Sequence, residues 1–157
     1  MLLKDKIAVI TAGASGMGQA SAQLFAEHGA HVIVVDVNEA AATATVEGII
    51  AAGGSAEAAA VDVRDLDALK RLGAKITADH GKVHILYNNV GIPGAAGMQL
   101  SEADWDTGIE INARASFFLT GHLLDALKAA DGASVIFTSS TSGLVGSPFS
   151  PLYSFTK

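Results

Sequence analysis

The sequence predicts an α/β fold of the doubly wound kind: a parallel sheet with helices on both faces. Three observations predict it. Apolar runs recur at Ile7–Ile10, His31–Val35, Ala58–Val61, Val83–Tyr87 and Val135–Thr138. Alanine-rich stretches long enough for helices separate them, and strands alternating with helices imply right-handed βαβ units. Half of the residues are hydrophobic and mean hydropathy is +0.38, yet no run approaches the ~20 consecutive apolar residues of a membrane span. Strands buried on both faces account for such a surplus.

Composition narrows the function classes. The 157 residues suit one domain spanning 1–157, and no repeat, linker or low-complexity tail interrupts them. A net charge of −6 without a basic patch excludes nucleic acid as a partner. Cysteine is absent, which removes disulfides and thiolate chemistry. The start, Met1 to Lys6, carries charges where a signal peptide needs its apolar core, so a cytoplasmic location is expected and no membrane partner.

The first strand runs into Thr11-Ala12-Gly13-Ala14-Ser15-Gly16-Met17-Gly18 and then a helix expected near 17–29. Glycines let a turn bend sharply and approach a ligand closely, and the N–H groups of the following helix then face an anion. The stretch is either a phosphate-binding turn or an ordinary strand–helix turn. It is not the G-x-G-x-x-G fingerprint, because Ser21 stands at the third glycine position.

The second strand ends at Asp36, which could hold both ribose hydroxyls of an adenosine or cap the next helix. Its spacing from the glycine turn favours the ribose. Neither Ser15 nor Val37 supplies a cation for a 2′-phosphate, which favours NAD over NADP. A helix near 38–53 is capped by Asn38 and stopped by Gly53-Gly54. After the third strand, Asp62 could reach an adenine amino group or form a turn. Asp65 caps a helix near 65–80. Asn88-Asn89 after the fourth strand reads as a turn, and the glycine-rich loop 91–100 as a possible border of a substrate site.

Ser101-Glu102-Ala103-Asp104 reads as a capping box opening a short helix around Trp105. A helix at 107–130 follows, with Trp105, Ile109, Asn112, Ser116, Leu119 and Leu123 on one face. Asn112 is there either a structural bridge or a site residue, and Phe117, Phe118 and Leu124 exceed what one sheet covers, as core or as a subunit interface. After the fifth strand come Ser139 and Ser140, then Tyr153 and Lys157 at i and i+4. The pair is either a plain helix surface or an ammonium placed to favour phenolate, as a general acid/base requires. His28, His31, His80, His84 and His122 form no convincing ligand set; all five are expected on the surface, and no metal is expected.

Together these pieces resemble the short-chain dehydrogenase/reductase family along essentially the whole chain. Its T-G-x-x-x-G-x-G turn resembles Thr11–Gly18, its acidic residue Asp36, its D-V pair Asp62-Val63, and its N-N-A-G motif Asn88-Asn89-Val90-Gly91. Its helix asparagine falls on Asn112, its serine on Ser140, 13 residues before Tyr153, and its Y-x-x-x-K on Tyr153 and Lys157. Ala12 stands where the family has its first glycine, with Gly13 expected to supply the needed freedom. Val90 replaces an alanine and adds bulk beside the expected cofactor.

The resemblance implies a Rossmann-like fold of which five strands are present. It also implies reversible hydride transfer between NAD and a secondary alcohol or carbonyl carbon. Gly13, Ser15, Gly16, Met17, Gly18, Asp36, Asp62, Val63, Asn89, Val90, Gly91, Tyr153 and Lys157 would bind the cofactor. Tyr153 would exchange the proton and Ser140 hold the substrate oxygen. Lys157 would act on the tyrosine and the nicotinamide ribose, and Asn112 would position a water. Family members commonly form dimers and tetramers, with the helix 107–130 in the interface. The resemblance continues past Lys157, so the chain reads as the amino-terminal, truncated portion of a longer enzyme lacking its carboxy-terminal strands. Tyr153 and Lys157 are then expected on a fraying helix end, and the fifth strand as an apolar edge. The competing reading is a module that binds a dinucleotide or a partner chain without turnover.

Overall fold

A computed structural model describes residues 1–157. Five strands, β1 (Ile7–Thr11), β2 (His31–Asp36), β3 (Ser55–Ala60), β4 (Ile85–Asn88) and β5 (Ser134–Phe137), form one sheet in the order β3-β2-β1-β4-β5. Every pairing is parallel. The order reverses direction beside β1, and a crevice opens there at the carboxyl ends of the strands.

The period of two along each strand divides the core. Val9, Ile33, Val35 and Leu86 face α3 (Leu66–His80) and the later helices, where they meet Leu69, Leu72, Ile76, Leu119 and Leu123. Ala8, Ile10, Val32, Val34 and Ile85 face α1 (Gly16–Glu27) and α2 (Glu39–Ala51), meeting Ala22, Ala26, Val46 and Ile49. This two-sided burial explains the apolar surplus. No helix is long and apolar enough to cross a membrane. Asn38 and Asp65 cap α2 and α3 through their side chains, as expected.

Some boundaries differ from the sequence reading. β3 begins at Ser55, earlier than the predicted Ala58, because an edge strand tolerates Ser55 and Glu57 on its open surface. The predicted helix 107–130 is segmented. Ser101 and Asp104 form a reciprocal capping box for α4 (Glu102–Ile109), a π-helical turn spans Glu110–Arg114, and α5 (Ala115–His122) and α6 (Leu124–Lys128) meet at Leu123. The extra residue in a π turn shifts the helical phase. Asn112, Ser116, Leu119 and Leu123 are therefore buried, whereas Trp105 stays 46% exposed against the ring of Phe155. Phe117, Phe118 and Leu124 remain on the surface, as do Val135, Ile136 and Phe137 of edge strand β5.

Two further expectations are corrected. Ala12 itself takes the left-handed conformation, with φ +50°, while Gly13 does not. His84 is not a surface residue: it is buried, and its Nδ1 accepts a hydrogen bond from Ile7 N at 3.0 Å. That bond needs an unprotonated Nδ1. Burial, reinforced by Lys6 and Lys82, lowers the His84 pKa from its ordinary value.

Two predictions follow from these positions. A left-handed alanine costs about 1–2 kcal/mol, and a glycine gives back roughly half of that in chain entropy. Ala12→Gly should therefore raise unfolding stability by about 0.5–1 kcal/mol in urea denaturation; no gain would show the turn to be relaxed as alanine. For His84, the unfolded chain binds a proton near pH 6.5 while the folded chain resists it. Stability is then full above that value and falls as pH drops through it, by at most about 1.4 kcal/mol per pH unit for this group. His84→Asn, which keeps an acceptor, should flatten the slope between about pH 6.5 and 5.5; an unchanged slope would contradict the assignment.

Candidate functional site

The crevice is built on Thr11, the last residue of β1, which is 1% exposed. Its Oγ1 accepts from Asn89 N at 3.0 Å and Val90 N at 3.1 Å and donates to Tyr87 O at 3.5 Å. One side chain thus ties the glycine turn to the end of β4. Asn89 returns the contact through Nδ2 to Ala12 O at 3.4 Å.

The turn lies against the sheet without spare room. Gly13 is buried and its N–H donates to Val35 O at 3.1 Å. A Cβ at Gly18 would sit 2.0 Å from Ala12 O, so only glycine permits this approach of helix to turn. Ser15, Gly16 and Met17 are exposed at the start of α1. Ser15 makes no capping bond and the first turn has no acidic residue, so these helix N–H groups point outward without a side-chain partner. Such a terminus favours an anion.

Asp36 stands beside the turn. Its Oδ2 accepts from Ala14 N at 3.1 Å and its Oδ1 from Asn38 N at 3.0 Å. It serves the loop structurally, and each oxygen keeps a further lone pair. Asp36, Val37, Asp62, Val63, Val90 and Ile111 share a cavity of about 200 Å³ with Arg64. Asp62 is held by Arg64, whose Nη2 lies 2.6 Å from Oδ2, and this partner keeps the carboxyl below its ordinary pKa. Val90 packs partly against the core instead of projecting as free bulk. Arg64 was not foreseen; its place two residues after Asp62 was the available signal.

The other end of the crevice brings Asn112, through Thr156, next to Tyr153 and Lys157, while Ser140 lies in the turn that follows β5. Asn112, in the π turn, accepts from Ile92 N at 2.8 Å and donates to Ile92 O at 2.9 Å and Thr156 Oγ1 at 3.0 Å. Its amide bridges loop 91–100 to α8 (Pro151–Thr156), which follows the single-turn α7 (Ser142–Val145). Lys157 Nζ donates to Thr138 O at 3.1 Å and Val90 O at 3.5 Å and lies 5.9 Å from the Tyr153 ring centre. Burial lowers the pKa of this ammonium. A Cβ at Gly91 would come within 2.7 Å of that Nζ, so the loop leaves room for the lysine. Ser140 Oγ accepts from Ser142 N at 3.1 Å. Thr138, expected only as the end of the fifth strand, supplies the carbonyl that receives the lysine.

α8, only six residues long, is tied down by tertiary contacts. Leu152 is 3% exposed and packs onto Gly108 of α4, Ser154 Oγ accepts from Ser147 N, and Ser139 Oγ donates to Lys157 O at 2.8 Å. Such contacts stabilise a helix too short to be stable on its own. An apolar cavity of about 500 Å³ lies between Met98, Leu100, Trp105, Leu152 and Phe155.

The chain is similar to known proteins in sequence and in fold. The family model described as short chain dehydrogenase matches residues 6–157. The cyclohexanol dehydrogenase of Acinetobacter sp. (strain SE19) is 33% identical over 144 residues, covering 90% of this chain and 57% of that protein. Among solved structures, a metagenomic short-chain oxidoreductase in complex with NADP superposes with TM-score 0.95 at 30% identity, covering 100% of this chain and 72% of that one. A Burkholderia phymatum short chain dehydrogenase/reductase in complex with NAD gives TM-score 0.92 at 29% identity, covering 99% and 56%. The chain spans from 52% to 64% of the length of the first curated relatives it matches. With a matching sheet, a glycine turn under α1 and a family model over nearly every residue, the chain belongs to the short-chain dehydrogenase/reductase family of oxidoreductases.

Proposed function

We propose that the protein is an NAD-dependent oxidoreductase that interconverts a secondary alcohol and a carbonyl, with Tyr153 as general acid/base. The observation that carries this reading is the Lys157 ammonium fixed by Thr138 O and Val90 O beside the Tyr153 ring, at the crevice that begins with the glycine turn. The residues fit a dinucleotide: the N–H groups at the exposed start of α1, around Ser15, Gly16 and Met17, suit its phosphates, and Gly18 lets the helix approach the turn closely enough to present them. Asp36 would take the adenosine ribose, Asp62 and Val63 would border the adenine, and Asn89, Val90, Gly91 and Lys157 would line the nicotinamide half.

The nicotinamide, when bound, supplies the hydride acceptor or donor. Ser140 would hold the substrate oxygen through its hydroxyl while Tyr153 takes or returns the proton there. Lys157 keeps a cation beside the phenol. Asn112, with both amide protons engaged, holds loop 91–100 and α8 in place, and a water positioned there would complete the proton path.

The choice of NAD rests on Asp36, whose charge repels a 2′-phosphate. Arg64 is the one cationic residue lining the cavity it shares with Asp36, and its pairing with Asp62 supports the same choice. Exposed Phe117, Phe118 and Leu124 support self-association through α5 and α6.

Tyr153→Phe should lower kcat with a carbonyl panel and NADH by about 10²–10⁴-fold while NADH binding stays unchanged; intact turnover would refute the mechanism. NADH binding by the unsubstituted protein with no turnover of any carbonyl would instead favour the binding-module reading. Asp36→Ala should weaken NADH binding roughly 10–100-fold, as loss of hydrogen bonds to a charged group implies, and should weaken NADPH binding less. An equal loss for both would show that Asp36 acts only on the loop.

A further inference from the structure

At the opposite end of the sheet from the crevice, three side chains meet that the reaction does not use. His31 opens β2, Glu57 lies in β3, and His80 ends α3. The parallel register sets His31 beside Ser55 and Ile33 beside Glu57, which brings Glu57 onto the face covered by α3. Leu72, Ile76 and His80 follow at four-residue steps along that helix, so His80 closes over the pair.

One ligand atom from each of His31, Glu57 and His80 lies within 4.8 Å of the others. His80 Nε2 is 3.0 Å from Glu57 Oε1, and the two imidazole rings are 5.2 Å apart. His31 Nδ1 is 2.7 Å from Ser55 Oγ, whereas His31 Nε2 is buried with no hydrogen-bond partner. A buried polar atom left without a partner is costly and needs an explanation. With Nδ1–H donated to Ser55, Nε2 carries a free lone pair, the arrangement in which a neighbouring group fixes the tautomer of a metal-bound histidine.

We propose that His31, Glu57 and His80 form a binding site for a divalent transition metal of the Zn²⁺ class, which clamps the start of β2 to β3 and the end of α3. Two imidazoles and a carboxylate suit Zn²⁺ and exclude Mg²⁺ and Ca²⁺, which take oxygen ligands. Three protein ligands leave a fourth, tetrahedral position for water. Metal–ligand bonds of about 2.1 Å place tetrahedral ligands about 3.4 Å apart; the His80–Glu57 contact is already that close, and His31 needs a shift of about 1 Å. His80 occupies the last position of α3 and is followed by Gly81 with φ +70°, an end that can adjust. Burial also lowers the His31 pKa from its ordinary value, against the pull of Glu57. The role is structural, because the cluster lies at the amino ends of the strands and not at the crevice.

Isothermal titration of the purified protein with ZnSO₄ should show one ion per chain. Ser55→Ala should weaken it roughly 10–100-fold, the usual cost of losing such a supporting partner. His80→Gln and Glu57→Gln should weaken it more, and His28→Gln should leave it unchanged. In the unsubstituted protein, Zn²⁺ should shift the imidazole NMR signals of His31 and His80 saturably and leave those of His28, His84 and His122 in place. Equal affinity in a folded His80→Gln variant, or ring shifts that miss His31 and His80, would overturn the proposal. Should the variants fail to fold, the ring signals decide the question alone.

Discussion

The crevice depends on one buried hydroxyl. A threonine oxygen has one proton and two lone pairs to offer, and Thr11 uses all three, on Tyr87 O, Asn89 N and Val90 N. Those bonds join the end of β1 to the end of β4 at the point where the strand order turns back. Both halves of the crevice then share one frame: the glycine turn and Asp36 hang from β1 and β2, and the loop that receives Lys157 hangs from β4. In a low-dielectric site a hydroxyl in this position cannot be replaced by water without disturbing both halves.

Backbone conformation is set against this frame. Ala12 bears a left-handed φ that glycine would adopt freely, and Gly18 leaves the gap that its carbonyl requires. The π turn serves a similar end on the other side. By shifting the helical phase at Glu110–Arg114 it buries Asn112 against Ile92 and Thr156, so loop 91–100 and α8 are positioned by one amide. Strain and irregularity concentrate where two elements must meet at a fixed distance.

The layers and the parallel sheet of the fold were legible in the sequence because the signals were periodic and repeated. Apolar runs marked the strands, and Asn38, Asp65 and Ser101 marked helix starts that the structure keeps. What was not legible depended on the third dimension. Ser55 and Glu57 look like loop residues until an edge position makes them acceptable. A π turn leaves no mark in a period of three and four. His84 reads as a surface histidine because nothing in its neighbourhood shows that Ile7 N needs an acceptor. His31, Glu57 and His80 are far apart in sequence and meet only through the register of β2 with β3 and the length of α3. The roles of Arg64 and Thr138 escaped notice for the same reason, since their significance lies in what folds beside them.

The central claim is that the carboxyl edge of this sheet, organised by Thr11, holds a dinucleotide along its length. The most direct measurement is a map of backbone amide NMR shifts as NADH is added. The account predicts that the amides of Gly13–Gly18 and of Asn89–Gly91 shift together along one saturation curve, with Asp36 and Val37 following. Shifts confined to one of the two stretches, or appearing instead at the opposite end of the sheet around His31, would contradict it.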